Sequence, residues 1–141
     1  MSRLPNWDIA LIQAVEFHAQ RPFSWGGLAT GAGSDCFEMT MDAVKAVTGT
    51  DPYEDERGRY RTRIGALRRF TKRGFAWLDG AYSDAFPPVP VLMARRGDIG
   101  LVSLDGEDCS VVVMGAQAVG KSPSGIVRVP VNALRKAFKV G

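Results

Sequence analysis

A cysteine at the start of a helix is the residue in this chain best suited to do chemistry. Asp35, which follows a glycine-rich loop, can cap a helix that begins at Cys36, and Glu38 stands three positions later, as a capping box requires. Cys36 would then lie at the positive end of the helix dipole, which stabilises a thiolate and lowers the pKa of a cysteine. The sequence therefore predicts a nucleophile at Cys36.

A cysteine nucleophile needs a base that takes its proton, and His18 is the only histidine in the chain. It falls on a first predicted helix, Asn6–Gln20, which Asn6 can cap and Arg21-Pro22 ends. Three interpretations of His18 stay open: a partly buried ring packed at the helix end, a surface residue, or a catalytic base. The spacing predicts that one side of this helix collects Trp7, Leu11, Ala14, Val15 and His18, with Ile9 and Ile12 beside them.

The elements around Cys36 follow from local patterns. In the loop before it, Trp25-Gly26-Gly27 indicates a backbone that approaches a neighbour closely or takes a positive φ beside an aromatic wall. The helix after it, Cys36–Thr48, is mostly apolar, so we expect it to be central and buried. Gly49 is a good C-terminal cap.

Composition limits the class of protein. A chain of 141 residues with 45% hydrophobic and 23% charged residues is typical of one globular domain, which we expect to span residues 1–141. Two cysteines make no disulfide framework, and the N-terminus lacks the layout of a signal peptide. No apolar run reaches the ~18 residues of a membrane span. We expect the chain to be made in a reducing cytoplasm and to travel elsewhere within an assembly.

A basic stretch follows the central helix. A third helix is predicted at about Thr62–Lys72, closed by Gly74, and the stretch Arg57–Arg73 carries much of the positive charge behind the net +3. Nucleic-acid binding is one interpretation. The stretch has no helix-turn-helix or RNA-binding signature and no interleaved aromatic residues, which favours a solvated face or a contact with an acidic protein surface.

The second half of the chain changes to a β pattern. Residues 75–90 are predicted to be irregular, and residues 130–138 to form a short closing helix. Between them the pattern predicts a meander of short strands at residues 99–104, 109–114, 116–120 and 126–129, with Asp105-Gly106 as a hairpin turn. The expected fold class is α+β, with N-terminal helices packed on one side of a small antiparallel sheet.

These motifs resemble the NlpC/P60 cysteine peptidases, which are papain-like in fold and cut peptidoglycan stem peptides. The shared features are the aromatic-glycine loop, Asp35-Cys36 opening a central helix, and the turn Arg96-Gly97-Asp98 before the sheet. Within that superfamily the chain is most similar to short proteins of tailed bacteriophages and prophages. The resemblance implies a papain-like NlpC/P60 fold with Cys36 at the nucleophile position.

The chain departs from this family at the position of the catalytic base. The catalytic histidine of the family opens the strand that matches Cys109–Gly115, and its position is occupied by Cys109. The third polar residue of the family falls at about residues 116–122, where Gln117 is the candidate. Cys109 cannot act as the usual base, and His18 is an alternative base on a different element. The resemblance implies that Cys36 and Cys109 face each other, which would permit a disulfide, although two thiols are expected in the cytoplasm.

The resemblance implies a catalytically degenerate fold serving as a structural or adaptor protein of a phage tail tip. Its partners would be other tail-tip or hub proteins, in contact with the basic helix and the segment Phe86–Pro90. The alternative is an active cysteine peptidase or amidase, with Cys36 as nucleophile, that cuts cell-wall peptides during tail assembly or DNA entry. A nucleic-acid-binding module is a third hypothesis. No cofactor is expected, and two cysteines with one histidine are too few ligands for zinc.

Overall fold

The protein has a helical N-terminal half and a β-rich C-terminal half. The computed structural model describes residues 2–141. The α-helices in this range are α1 (Trp7–Ala19), α2 (Cys36–Thr48), α3 (Arg63–Lys72) and α4 (Trp77–Ala85). The strands are β1 (Pro88–Val89), β2 (Ile99–Leu104), β3 (Glu107–Val113), β4 (Gln117–Ser122), β5 (Gly125–Pro130) and β6 (Lys136–Phe138). The fold is α+β, as the sequence predicts.

One antiparallel sheet contains all six strands, in the order β1-β6-β2-β3-β4-β5. Strands β2 to β5 form the predicted meander. The turn between β2 and β3 is Asp105-Gly106, and both residues have positive φ (51° and 81°), as two-residue hairpin turns require. Strand β6 returns to lie between β1 and β2.

Helix α2 is the centre of the core. It packs against α1 on one side and against β3 and β4 on the other. Nine of its side chains are buried, because apolar residues surround most of the helix. Gly49 ends it in the left-handed region with φ 84°, as predicted.

The loop before α2 folds back on the residues that precede α3. Gly26 has φ 64°, and a Cβ atom at this position would collide with the carbonyl oxygen of Tyr60. Trp25 packs beside Trp77, with ring centroids 6.3 Å apart. The prediction of a close approach and a positive φ is therefore confirmed.

Helix α1 agrees with the prediction in its bounds but not in its cap. Asn6 stands at its N-cap, but with φ 59° its side chain makes no capping hydrogen bond. Leu11 and His18, on the predicted inward side, are fully buried. Ile9 and Ile12, which flank that side, lie at the surface, 56% and 37% exposed, because the helix buries only one narrow stripe.

Two segments were assigned wrongly. The supposedly irregular stretch 75–90 contains α4, whose Leu78, Ala81 and Tyr82 have helical spacing and are fully buried. The predicted closing helix at 130–138 is instead a turn of 3₁₀ helix, Val131–Ala133, followed by β6. A three-residue strand is too short to show the alternation of apolar and polar residues by which strands are recognised. Its conformation is decided by pairing with two other strands.

Candidate functional site

The start of α2 is held by a complete capping box. The Asp35 carboxylate accepts a hydrogen bond from the backbone N–H of Glu38 (2.8 Å), and the Asp35 N–H donates to the Glu38 carboxylate (3.1 Å). The second Asp35 oxygen accepts from the Gly26 N–H (2.9 Å) and the Tyr60 hydroxyl (2.7 Å). Asp35 thus ties the loop, α2 and the segment before α3 together. The predicted cap at Asp35 is confirmed.

Burial changes the acidity of this cap. Asp35 and Glu38 are at most 1% exposed. Desolvation raises the pKa of Asp35 in spite of its hydrogen bonds, and desolvation together with the Asp35 charge raises the pKa of Glu38 to about 7. Desolvation and the adjacent Asp35 also raise the pKa of Tyr60. The two carboxyl groups of the cap and the Tyr60 hydroxyl are therefore weaker acids here than in water.

The two cysteines meet at the start of α2. Cys36 is its first residue and Cys109 lies on β3, and each cysteine is the largest influence on the acidity of the other. Both are free thiols, 5% and 7% exposed. The Cys109 thiol donates to the carbonyl oxygens of Ser110 (3.7 Å) and Lys121 (3.4 Å). We call Cys36 and Cys109 the thiol pair.

The acidity of Cys36 runs against the sequence-based prediction. The neighbouring Cys109, desolvation and the negative charge of Asp35 together raise the pKa of Cys36. The neighbouring Cys36 lowers the pKa of Cys109, although burial opposes its ionisation. The expected low pKa of Cys36 is wrong, since burial and two acidic neighbours outweigh the helix dipole.

His18 belongs to a second buried cluster beside the thiol pair. Its Nδ1 lies 2.8 Å from Ser34 Oγ, and its Nε2 lies 2.6 Å from an Asp42 carboxylate oxygen. Both ring nitrogens are therefore engaged by residues other than Cys36. Arg57 holds Asp42 from the other side at 2.8 Å. Although burial opposes ionisation, the bond with His18 and the Arg57 charge lower the pKa of Asp42.

Lys121 completes this cluster, which we call the histidine network (His18, Ser34, Asp42 and Lys121). The ammonium group of Lys121, only 2% exposed, donates to Ser34 Oγ at 2.6 Å and to the carbonyl oxygen of His18 at 2.9 Å. It also approaches the carbonyl oxygens of Arg21 and Pro22, at 3.0 and 3.4 Å. Burial and the nearby Arg21 charge lower the pKa of Lys121.

Proton positions in the histidine network follow from its donors and acceptors. Because an ammonium group only donates, Ser34 Oγ accepts from Lys121, and its own proton is left to donate to His18 Nδ1. The ring proton then lies on Nε2 and is donated to Asp42. We assign this tautomer from the network. Nδ1 of His18 thus accepts a hydrogen bond from Ser34, and no ring nitrogen is free to accept a thiol proton.

The remaining predicted residue, Gln117, begins β4 as an exposed residue paired with Pro130. Sequence reasoning missed several polar side chains near the thiol pair. Ser110, beside Cys109, hydrogen-bonds both Thr40 on α2 and Tyr82 on α4. Asp42 carried a signal, as a polar residue within a mostly apolar helix, whereas the sequence around Lys121 gives no sign of its burial.

Across residues 2–141, no group of three or more His, Cys, Asp or Glu side chains is arranged to hold a metal ion. None of the helices described is both long and apolar enough to cross a membrane. Among curated proteins, no sequence matches this chain. One family model, described as a domain of unknown function (DUF6950), matches residues 2–140. The chain therefore belongs to the DUF6950 family.

Proposed function

We propose that this protein is a structural or adaptor component of a bacteriophage tail tip, built on a papain-like NlpC/P60 fold whose catalytic triad has been lost. The tail assignment rests on the resemblance of the sequence to short tail-module proteins. The loss of catalysis is supported by one observation: both ring nitrogens of His18, the only histidine, are hydrogen-bonded to Ser34 and Asp42, and Cys109 stands on β3 where the family has its histidine. A thiol cannot replace the imidazole that such peptidases use.

Two further features argue against cysteine peptidase activity. The Cys36 thiol is 5% exposed, so a peptide carbonyl has little access to it. Its pKa is raised, which keeps it protonated near neutral pH. A hydrolase that lacks its base loses several orders of magnitude in rate.

A surface at the far end of the sheet is suited to hold a neighbouring tail protein. Leu92 and Met93, on the 3₁₀ turn after β1, are 82% and 71% exposed, although both are large apolar side chains. Beside them, a groove of about 410 Å³ runs between Pro88–Val91 and β6. Exposed apolar side chains next to a groove are typical of protein contact sites.

The basic helix α3 contributes less free charge than its sequence indicates. Arg69 and Arg73 pair with Glu56, at 2.6 and 3.4 Å, and Arg73 also pairs with Asp55. These arginines hold α3 against the preceding acidic turn. This arrangement favours a structural role for α3 over the nucleic-acid hypothesis, which needs its cations free to bind phosphates.

An activity assay separates the structural hypothesis from the peptidase hypothesis. The purified protein and its Cys36→Ala variant are incubated with muropeptides beside an active NlpC/P60 peptidase. We expect no turnover by either form, even at high protein concentration. Turnover that disappears in Cys36→Ala would establish the peptidase instead.

Particle composition tests the tail assignment itself. Quantitative mass spectrometry of purified virions should find the protein at a copy number that matches the symmetry of the tail. Leu92→Glu should reduce incorporation, because it places a charge on the proposed contact surface. Ile64→Glu is the matched control, since Ile64 is 59% exposed on α3. Absence of the wild-type protein from virions would defeat the assignment.

A further inference from the structure

We propose that β5 binds an extended, acidic segment of a partner protein, which adds a strand to the open edge of the sheet. This edge lies opposite to β1 and to the exposed Leu92 and Met93, so it is a second contact surface that does not depend on the tail assignment. Three features of β5 support it: unpaired backbone groups, a groove beside the first residues of the strand, and arginine side chains that lack a carboxylate partner.

The pairing of β5 with β4 uses the backbone groups of every second residue of β5. Just after the strand, the Val131 N–H donates to the Ala116 carbonyl oxygen at 3.0 Å. Hydrogen-bonded pairs alternate with non-hydrogen-bonded pairs along an antiparallel ladder. In the register of these two strands, Val129 and Val127 therefore direct their backbone groups towards β4.

Ile126 and Arg128 direct their backbone N–H and C=O groups the other way, out of the sheet. Within residues 2–141, β4 is the single strand beside β5, and no loop or side chain hydrogen-bonds these outward groups. Pro130 shares their direction and has no N–H, which is typical of proline at a sheet edge. The edge therefore offers the donor and the acceptor of both residues to an extended chain.

The two edges of the sheet differ in how well they are protected. β1 is two residues long and begins with Pro88, and short edge strands that contain proline resist pairing with another chain. β5 is six residues long, and four of these residues are exposed. Only β5 has the length that an added strand requires.

A groove of about 360 Å³ lies beside the first residues of β5. Its lining includes Arg21 and Phe23 from the segment after α1, Pro123 from the turn before β5, and Ile126. Side chains of directly opposite residues in paired strands lie on the same face of the sheet. The residue of a bound segment that lies opposite Ile126 therefore extends towards this groove.

Positive charge at the edge favours an acidic segment. Arg128 is exposed on β5 and Arg21 lines the groove, and neither pairs with a carboxylate of residues 2–141. The chain has no aspartate or glutamate after Asp108. A segment with carboxylates at alternate positions supplies the missing opposite charges, whereas a second copy of β5 would add like charges.

The experiment is titration of the folded, isotope-labelled chain with a blocked heptapeptide of alternating valine and glutamate, followed by NMR at low ionic strength. We expect saturable shifts of the backbone amide signals of Ile126 and Arg128, and none at Leu92 or Met93. Arg128→Glu should weaken binding at least about fivefold. Arg68→Glu, which changes an exposed arginine on α3, is the matched control and should leave binding unchanged. The amide spectrum of each variant shows whether it is folded.

Two N-methylated peptides separate strand addition from simple attraction between charges. The peptide residues opposite Ile126 and Arg128 turn their backbone groups towards β5, and these residues are the glutamates. Methylation of the glutamate nitrogens should therefore weaken binding to the wild-type chain at least about tenfold. Methylation of the valine nitrogens, which point to solvent, should change binding less than about threefold.

Each of four results would overturn the proposal. Equal binding of the two methylated peptides would show attraction between charges alone, and equal binding of a lysine–valine peptide would show no preference for acids. No shift of the folded wild-type chain at about 1 mM peptide would show that the edge binds no such strand. Concentration-dependent shifts at Ile126 without peptide, together with a dimer in sedimentation, would make a second copy the occupant.

Discussion

Two buried clusters lie side by side at the start of α2, and they use their polar groups differently. In the histidine network every donor has an acceptor. The buried charge of Lys121 is compensated by carbonyl oxygens, and the charge of the half-buried Asp42 is compensated by Arg57. In the thiol pair, the weak donor of Cys109 is bonded only to the carbonyl oxygens of Ser110 and Lys121, and no charged group compensates either thiol. The chain possesses both a nucleophile and a histidine, yet fixes them in separate hydrogen-bonded systems.

The difference shows that a cysteine peptidase site needs more than a cysteine and a histidine: the two side chains must be hydrogen-bonded to each other. Ser34 and Cys36 are two positions apart in the sequence, with Asp35 between them. Ser34 engages the histidine, whereas Cys36 engages a second cysteine. A histidine that is fully hydrogen-bonded to Ser34 and Asp42 stabilises the fold and cannot receive another proton from a thiol. The comparison predicts that the histidine network contributes most to stability and that the acidity of the two cysteines does not depend on it.

The largest effect should come from removing the ammonium group of the histidine network. Lys121→Met leaves Ser34 and the carbonyl oxygen of His18 without their charged donor, so we expect the free energy of unfolding to fall by about 3–5 kcal/mol. Urea denaturation measures the change. Lys45→Met is the matched control: Lys45 is an exposed lysine, and its loss should cost less than about 0.5 kcal/mol. Equal effects of the two variants would contradict the importance of the network.

The cap between the two clusters should rank next. Asp35→Ala removes the acceptor of three hydrogen bonds and leaves the Tyr60 hydroxyl buried without a partner, so a loss of about 3 kcal/mol is expected. Asn6→Gly alters the other helix start, where no side-chain bond exists and φ is positive. It should change stability by less than about 0.5 kcal/mol. Thermal and urea unfolding of both variants give the comparison.

Replacing the histidine tests whether the two clusters are chemically independent. His18→Phe leaves Ser34 and Asp42 without their shared partner and should lower the free energy of unfolding by about 2 kcal/mol. The pH dependence of iodoacetamide alkylation of the folded protein should keep its shape, because His18 does not touch the thiol pair. A shifted alkylation profile would show that His18 controls Cys36 after all.

A smaller effect concerns pH and the acid of the capping box. The pKa of Glu38 is about 7 in the fold and 4.5 unfolded. Between about pH 4.5 and pH 7 the folded state therefore binds more protons than the unfolded state. The stabilisation that the protonated Glu38 contributes is complete below about pH 4.5 and is lost as the pH rises through 7. We expect wild-type stability to fall by about 1–2 kcal/mol across that window.

Glu38→Gln is the control for this pH effect. The glutamine side chain can still accept from the Asp35 N–H but cannot ionise. Urea unfolding at several pH values from 5 to 8 should therefore give a flatter profile in the variant. An equal slope in both proteins would mean that another group is responsible.

Sequence reasoning succeeded where interactions are local. The Asp35–Glu38 capping box, the positive φ of Gly26 and the Asp105-Gly106 hairpin depend on residues within a few positions of each other. It failed where contacts between segments distant in the sequence determine the burial or the acidity of a residue. Burial and Cys109 reverse the expected acidity of Cys36, and the role of Lys121 exists only because β4 passes beside the loop before α2. No local pattern contains that information.

The position of β6 has a consequence for how the chain folds. The meander β2 to β5 can form from neighbouring hairpins, but β6 comes after all of them and must insert beside β2, more than 30 residues back. Until it does, one edge of β2 has unpaired backbone groups, and β1 has no partner strand. Such late, non-local pairing slows folding. The chain is synthesised from its N-terminus, so β2 is complete before β6 exists. Until β6 pairs with it, the open edge of β2 can pair with a strand of another copy instead.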